Sequence, residues 1–192
     1  MDRFVGRHAV VTGGSSGIGL ATAHALGARG ARVTIVARRP ELLEAAVEEL
    51  SAAGIDAASA SLDVADREAV AAVLAGLSAE RGPVDILVCS AGVARPGHFR
   101  ELDDDVFREM MDVDYFGTLW PIRAVVPAMV ERGSGSIVGI SSDAGLVGVF
   151  GYTAYGAAKF AVRGLLEALR AEMVPHGVHV GCCFPPDVDT PQ

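Results

Sequence analysis

Six short β-rich runs, each joined to a longer helical stretch, limit what this chain can fold into. "HAVVT" leads to "GIGLATAHALGARG", "RVTIVA" to "PELLEAAVEELSAAG", and "DAASASLDV" to "DREAVAAVLAGLSAERG". "VDILVCSAG" precedes a helical stretch from about Asp103 to Arg132. "GSIVGISS" precedes a helix from near Thr153, and "VHVGCCF" leads to the last residues. Strands alternating with helices are the signature of a doubly wound α/β fold with a parallel sheet. Runs such as "DILVC" are apolar throughout, as expected when helices cover both faces. Right-handed crossovers then give strand order 3-2-1-4-5-6. No linker, repeat or low-complexity segment interrupts the 192 residues, so residues 1–192 read as one domain.

Charge and composition exclude several classes of function. The net charge is −8 with no long basic run, which argues against a nucleic-acid partner. No apolar stretch approaches the roughly 18 residues of a membrane span. "MDRFVGRHAVV" enters a strand almost at once and leaves no room for a signal peptide. Cys89, Cys182 and Cys183 lie in apolar strand-like runs and read as buried reduced thiols, which fits a cytoplasmic location. "DDD" (Asp103 to Asp105) reads as the acidic start of a helix. His176 and His179 lack partners of metal-ligand type, so no metal site is expected. Pro121 and Pro127 would bend the long helical stretch.

"VVTGGSSGIG" follows the first strand and opens the first helix, with Gly13, Gly17 and Gly19 spaced G-x-x-x-G-x-G. Glycine permits positive φ and lets a pyrophosphate approach the backbone at a helix N-terminus, where free N–H groups favour anions. Ser15 and Ser16 add hydroxyl donors, and Ile18 lies within the same turn. This context marks a Rossmann-like dinucleotide site. Where an NAD site usually carries an acid for the ribose hydroxyl, the second strand ends "VARRP". An acid would repel a 2′-phosphate, whereas the guanidinium of Arg38, or of Arg39, can bind it bidentately. The cofactor expected is therefore NADP(H). At the end of strand three, Asp63 can accept from the adenine amino group while Val64 packs on the ring. Asp63 could instead cap a helix, though Asp66 is better placed for that.

"SSDAGLVGVFGYTAYGAAKF" holds the candidate chemistry. Tyr155 and Lys159 are four apart and share a helix face. A tyrosine with a pKa near 10 needs help at neutral pH, and an adjacent ammonium stabilises its phenolate. Ser141 and Ser142 end the fifth strand, on the edge where ligands of such sheets bind. Tyr152 has glycine four residues on, so it reads as a packing or substrate-lining residue.

Together, TGxxxGxG, Tyr-x-x-x-Lys and the preceding serine resemble the short-chain dehydrogenase/reductase family over essentially the whole chain. The resemblance implies that Ser142, thirteen residues before Tyr155, polarises the substrate oxygen. Tyr155 would protonate that oxygen, and Lys159 would lower the tyrosine's pKa and hold the nicotinamide ribose. It places Ser90, Ala91 and Gly92 of "CSAG" beside the cofactor, with Ser90 where the family has asparagine. It also places Pro185, Val188 and Thr190 of "PPDVDT" at the nicotinamide. Asp114 stands where the family has an asparagine that bends the long helix and holds a water behind the lysine. An ionised Asp cannot donate to that water and adds a charge near Lys159. The resemblance further implies a homodimer or homotetramer built on the helices carrying Asp114 and Tyr155. A substrate lid and seventh strand would follow "PPDVDT", so a longer parent chain is expected.

Within that family, "DYFGTLWPIRAVVPAM", "GLVGVFGYTAYGAAKFAVRGLLEALRAEM" and "PPDVDTP" resemble the 3-ketodihydrosphingosine reductases. That branch implies NADPH-dependent reduction of a long-chain ketone. Leu146, Val147, Val149 and Phe150 then form either an apolar entrance for the chain or ordinary core. Two alternatives are a short-chain reductase for another lipid, steroid or small alcohol/ketone pair, and a nucleotide-binding scaffold without turnover.

Overall fold

The computed structural model describes residues 4–190, so Pro191 of the closing motif lies outside the described residues. Its strands are β1 (His8–Thr12), β2 (Arg32–Ala37), β3 (Ala57–Ser61), β4 (Ile86–Cys89), β5 (Gly135–Ile140) and β6 (Val178–Cys183). They form one sheet in the order β3-β2-β1-β4-β5-β6, with every pairing parallel. The expected strand order is the observed one. The helices are α1 (Gly17–Gly27), α2 (Pro40–Ala52), α3 (Arg67–Arg81), α4 (Asp104–Met110), α5 (Gly117–Arg132) and α6 (Thr153–Met173). Between α4 and α5, Met111–Phe116 is wound as a π-helix, so the long Asp103-to-Arg132 stretch is helical but irregular at Asp114. Asp66, not Asp63, caps α3, accepting from Glu68 N and Ala69 N at 3.0 Å.

Period-2 alternation sends the strand side chains into two cores. Val10, Leu87, Ile137 and Val180 pack under α3, α5 and α6, through residues such as Leu74, Ile122, Val162 and Leu166. On the other face Ala9, Val11, Val33, Ile35 and Val88 meet α1 and α2 through Ala23, Leu43, Ala46 and Leu50. That second core includes no residue of β5 or β6. Ser136, Val138 and Ile140 on this face are consequently half-buried, and His179 and Cys183 are exposed. The reading of three buried thiols is therefore corrected. Cys89 is buried, Cys182 half-buried and Cys183 exposed, because among the described residues β6 is the last strand of the sheet and no helix packs on that side. No helix among the described residues is long and apolar enough to cross a membrane.

At the opposite end of the sheet from the glycine loop, His8 is fully buried. Its Nδ1–H donates to Gly82 O at 2.8 Å, which leaves Nε2 to accept from the Thr34 hydroxyl at 3.0 Å. Burial pushes the imidazole below its ordinary value of 6.5, with the carbonyl bond opposing and the Arg81 and Arg32 charges adding to the fall. The folded state thus prefers neutral His8 while the unfolded chain takes up a proton near 6.5. This contribution to stability is complete above pH 6.5 and is lost as pH falls towards the lowered value. Urea unfolding should show wild type losing up to about 1.4 kcal/mol per pH unit below 6.5 from this residue. The variant His8→Gln should lack that part of the slope; equal slopes would contradict the assignment.

Candidate active site

The carboxyl edge of the sheet opens on a cavity of about 910 Å³. Its first wall is the loop between β1 and α1. Gly13 N donates to Val36 O at 2.8 Å, which ties the loop to β2. Gly13 has φ +68°, and a Cβ there would sit 2.7 Å from Ala91 N, so a side chain is excluded both by conformation and by space. Thr12 explains the closeness. Its Oγ1 accepts from Ser90 N at 3.2 Å and from Ala91 N at 3.3 Å, joining the β1 and β4 turns. The Ser90 backbone, rather than its hydroxyl, makes this link. Sequence reasoning assigned Thr12 no role; the available signal was a hydroxyl after the apolar run of residues 9–11 at the end of the strand.

Ser16 is the N-cap of α1 but its hydroxyl does not cap the helix. Gly13, Ser15, Ser16, Gly17, Ile18 and Gly19 all line the cavity. Arg38 and Arg39, both exposed, line it at the end of β2, and Asp63 and Val64 at the end of β3. Asp63 also accepts from Ala65 N at 3.0 Å, so its carboxylate closes a local turn. Free N–H groups at a helix start, glycines that leave room for a phosphate and a guanidinium pair beyond β2 fit a phosphorylated dinucleotide.

Helix α6 brings Tyr155 and Lys159 to the same cavity. Lys159 Nζ lies 5.4 Å from the Tyr155 ring centroid and donates to Ile140 O at 3.3 Å. It also pairs with Asp114 Oδ1 at 3.3 Å, the two side chains being 5% and 0% exposed. Val93 N donates to the same Oδ1 at 3.0 Å, whereas Oδ2 has no hydrogen-bond partner among the described residues. Burial pushes the Asp114 carboxyl above the ordinary range, and Lys159 and the Val93 N–H pull it back. Asp114 is the one predicted site residue that does not line the cavity; it stands behind Lys159. The π-helical turn carries it there, and the Asp114 carbonyl accepts from Thr118 Oγ1 at 2.8 Å. Gly92 lies against the pair: a Cβ would be 2.6 Å from Asp114 Oδ1 and 3.2 Å from Lys159 Nζ.

The two serines at the end of β5 have different roles in the structure. Ser141 Oγ is buried and donates to Lys159 O at 2.9 Å, fastening α6 to the sheet. Ser142 lines the cavity, donates to Asp143 Oδ1 at 2.9 Å and accepts from Ala144 N at 3.2 Å. Asp143, which sequence reasoning did not single out, also lines it. Pro185, Val188 and Thr190 also line the cavity. Their loop is stitched to β5 by Ser141 N to Cys183 O at 2.8 Å and Asp143 N to Pro185 O at 3.1 Å. Leu146, Val147, Val149 and Phe150 are 43%, 61%, 39% and 85% exposed, which removes the core reading for them. Tyr152 lines the cavity with its ring 5.7 Å from that of Tyr155.

A dinucleotide fold with serine, tyrosine and lysine around one cavity defines an oxidoreductase class. The chain belongs to the short chain dehydrogenase family, whose model matches residues 7–192. It is 46% identical over 191 residues to the 3-dehydrosphinganine reductase of Danio rerio, and 44% identical to the 3-ketodihydrosphingosine reductase of Bos taurus. Each alignment covers 97% of this chain, which spans 58% of each relative. Among solved structures, an actinorhodin polyketide ketoreductase with NADPH superposes with TM-score 0.94 at 37% identity. That match covers 96% of this chain and 72% of the other. L-Sorbose reductase from Gluconobacter frateurii, complexed with NADPH and L-sorbose, gives 0.93 at 30% identity, covering 100% and 73%.

Proposed function

We propose that the chain is the catalytic core of an NADPH-dependent carbonyl reductase acting on a long-chain ketone such as 3-ketodihydrosphingosine. The observation that carries the reading is the meeting of Ser142, Tyr155 and the buried Lys159 in one cavity with the glycine loop and Arg38. The names of the relatives support the substrate class, and Val149, exposed and lining the cavity, suits an acyl chain.

Held by the glycine loop, NADPH would supply the hydride for the carbonyl carbon. Negative charge then grows on the carbonyl oxygen, and Ser142 Oγ and the Tyr155 hydroxyl are the donors for it. Tyr155 gives its proton to that oxygen, completing the alcohol. Lys159, held by Asp114 and Ile140 O, offers an ammonium that stabilises the phenolate left behind. The Asp114 carboxylate also counters part of that ammonium's field. Ser15, Ser16 and the N–H groups of α1 would hold the pyrophosphate, Arg38 the 2′-phosphate, and the Pro185–Thr190 loop the nicotinamide.

Nucleotide choice tests the first half of the proposal. Fluorescence titration should give tighter binding of NADPH than of NADH. Arg38→Ala should weaken NADPH about tenfold or more, the worth of a charge-assisted bond, with NADH changed less than about twofold. Equal losses for both nucleotides would contradict the assignment of Arg38.

A further inference from the structure

We propose that Asp143 is an ammonium-binding subsite, selecting ketones that carry a primary amine on the carbon next to the carbonyl. This rests on the reductase reading above and adds the group that discriminates among substrates. Asp143 is exposed in the cavity immediately after Ser142. Its Oδ1 accepts from Ala144 N at 2.7 Å and from Ser142 Oγ at 2.9 Å. An ionised carboxylate has about four acceptor positions, so half of its capacity is open. Among the described residues no cation pairs with it. Lys159 is committed to Asp114 and Arg95 to Glu109, each at 3.3 Å. The carboxylate beside Ser142 is thus an uncompensated charge within a reducing site.

The bond from Ser142 has a consequence for catalysis. The hydroxyl proton that should point at the ketone oxygen points at Asp143 instead. An ammonium in the open acceptor positions of Asp143 neutralises the charge that draws this proton, so the hydroxyl can turn to the ketone oxygen. In a ketone with an adjacent ammonium, nitrogen and oxygen sit on neighbouring carbons, about 3 Å apart by bond geometry. Ser142 Oγ and Asp143 Oδ1 are separated by 2.9 Å. The ammonium therefore fits the carboxylate while the carbonyl oxygen fits the serine, and the two contacts form together. A ketone without the amine leaves Ser142 to break a charge-assisted bond without replacement. Discrimination appears in kcat/KM because the released serine acts on the developing oxyanion.

The test compares a short-chain, micelle-free 2-amino-3-ketone with the same ketone lacking the amine, using NADPH, wild type and Asp143→Asn. Asparagine keeps a carbonyl oxygen for Ala144 N, so the turn is retained. Wild type should favour the amino ketone by about tenfold in kcat/KM, and the variant should bring the ratio near one. A ratio unchanged by the substitution, with both ketones reduced, overturns the proposal. If wild type reduces neither ketone, the reductase reading has failed, and calorimetry with the corresponding 2-amino alcohol judges the subsite alone. About tenfold weaker binding to Asp143→Asn then supports it, and equal binding overturns it.

Discussion

Replacing Tyr155 with phenylalanine lowers kcat about a thousandfold while NADPH affinity stays within about twofold. The magnitude is that of removing a positioned general acid. The phenol is the proton source at the substrate oxygen, and no other hydroxyl on α6 takes its place. Ser142 donates its one hydroxyl proton to Asp143 until substrate turns it to the ketone oxygen. Among the described residues it has no ammonium beside it to stabilise an alkoxide, as Lys159 does for the phenolate. Tyr152 stacks edge-on against Tyr155 and has glycine where Tyr155 has Lys159. The aromatic ring, its contact with Tyr152 and the Lys159–Asp114 pair all survive the substitution, so stability should change little. Single-turnover reduction and nucleotide titration on one preparation separate the two effects. Loss of NADPH binding together with turnover would mean that Tyr155 is structural.

Lys159→Met should be the most destabilising change in the site. It leaves the Asp114 side chain, 0% exposed, without its cation and with only the Val93 N–H on Oδ1. Breaking a buried pair by removing one partner costs about 3–5 kcal/mol. For a domain of this size the unfolding midpoint falls by about 10 °C. The pH dependence gives a second signature. Burial holds the Asp114 carboxyl above its ordinary value of 3.8 against the pull of Lys159. Removing the ammonium raises it further and makes ionised Asp114 costlier in the variant than in wild type. That penalty is absent in acid and grows as pH rises through the folded value. The deficit of Lys159→Met relative to wild type should therefore shrink as pH is lowered. Adding Asp114→Asn should recover most of the stability at neutral pH and none of the turnover. If the double variant is no more stable than the single one, the Lys159–Asp114 pair does not have the energetic role assigned to it.

The sheet order and the glycine loop were legible in the sequence because their signals are local. An apolar run, a Gly-rich turn and a helix start lie within a few residues of one another. Tyr155 and Lys159 were legible for the same reason, sharing a helix face four residues apart. Contacts between distant segments were not. Thr12 holds Ser90 across 78 positions, and nothing in "HAVVT" announces that partner. Asp114 could be flagged as a charge near Lys159, but its direct pairing depends on a π-helical turn that periodicity does not encode. "LVGVFG" remained ambiguous between entrance and core because an apolar composition suits both, and only its neighbours decide. Cys183 was misread for a related reason. Its strand composition suggests burial, yet among the described residues no helix covers one face of β5 and β6.

The most direct measurement is NADPH consumption with 3-ketodihydrosphingosine and with a panel of short ketones, using wild type and Tyr155→Phe side by side. The proposed mechanism predicts stoichiometric alcohol formation, preference for the long-chain amino ketone, and turnover that disappears in the variant. Tight NADPH binding with no ketone reduced by wild type would contradict it and leave a nucleotide-binding scaffold.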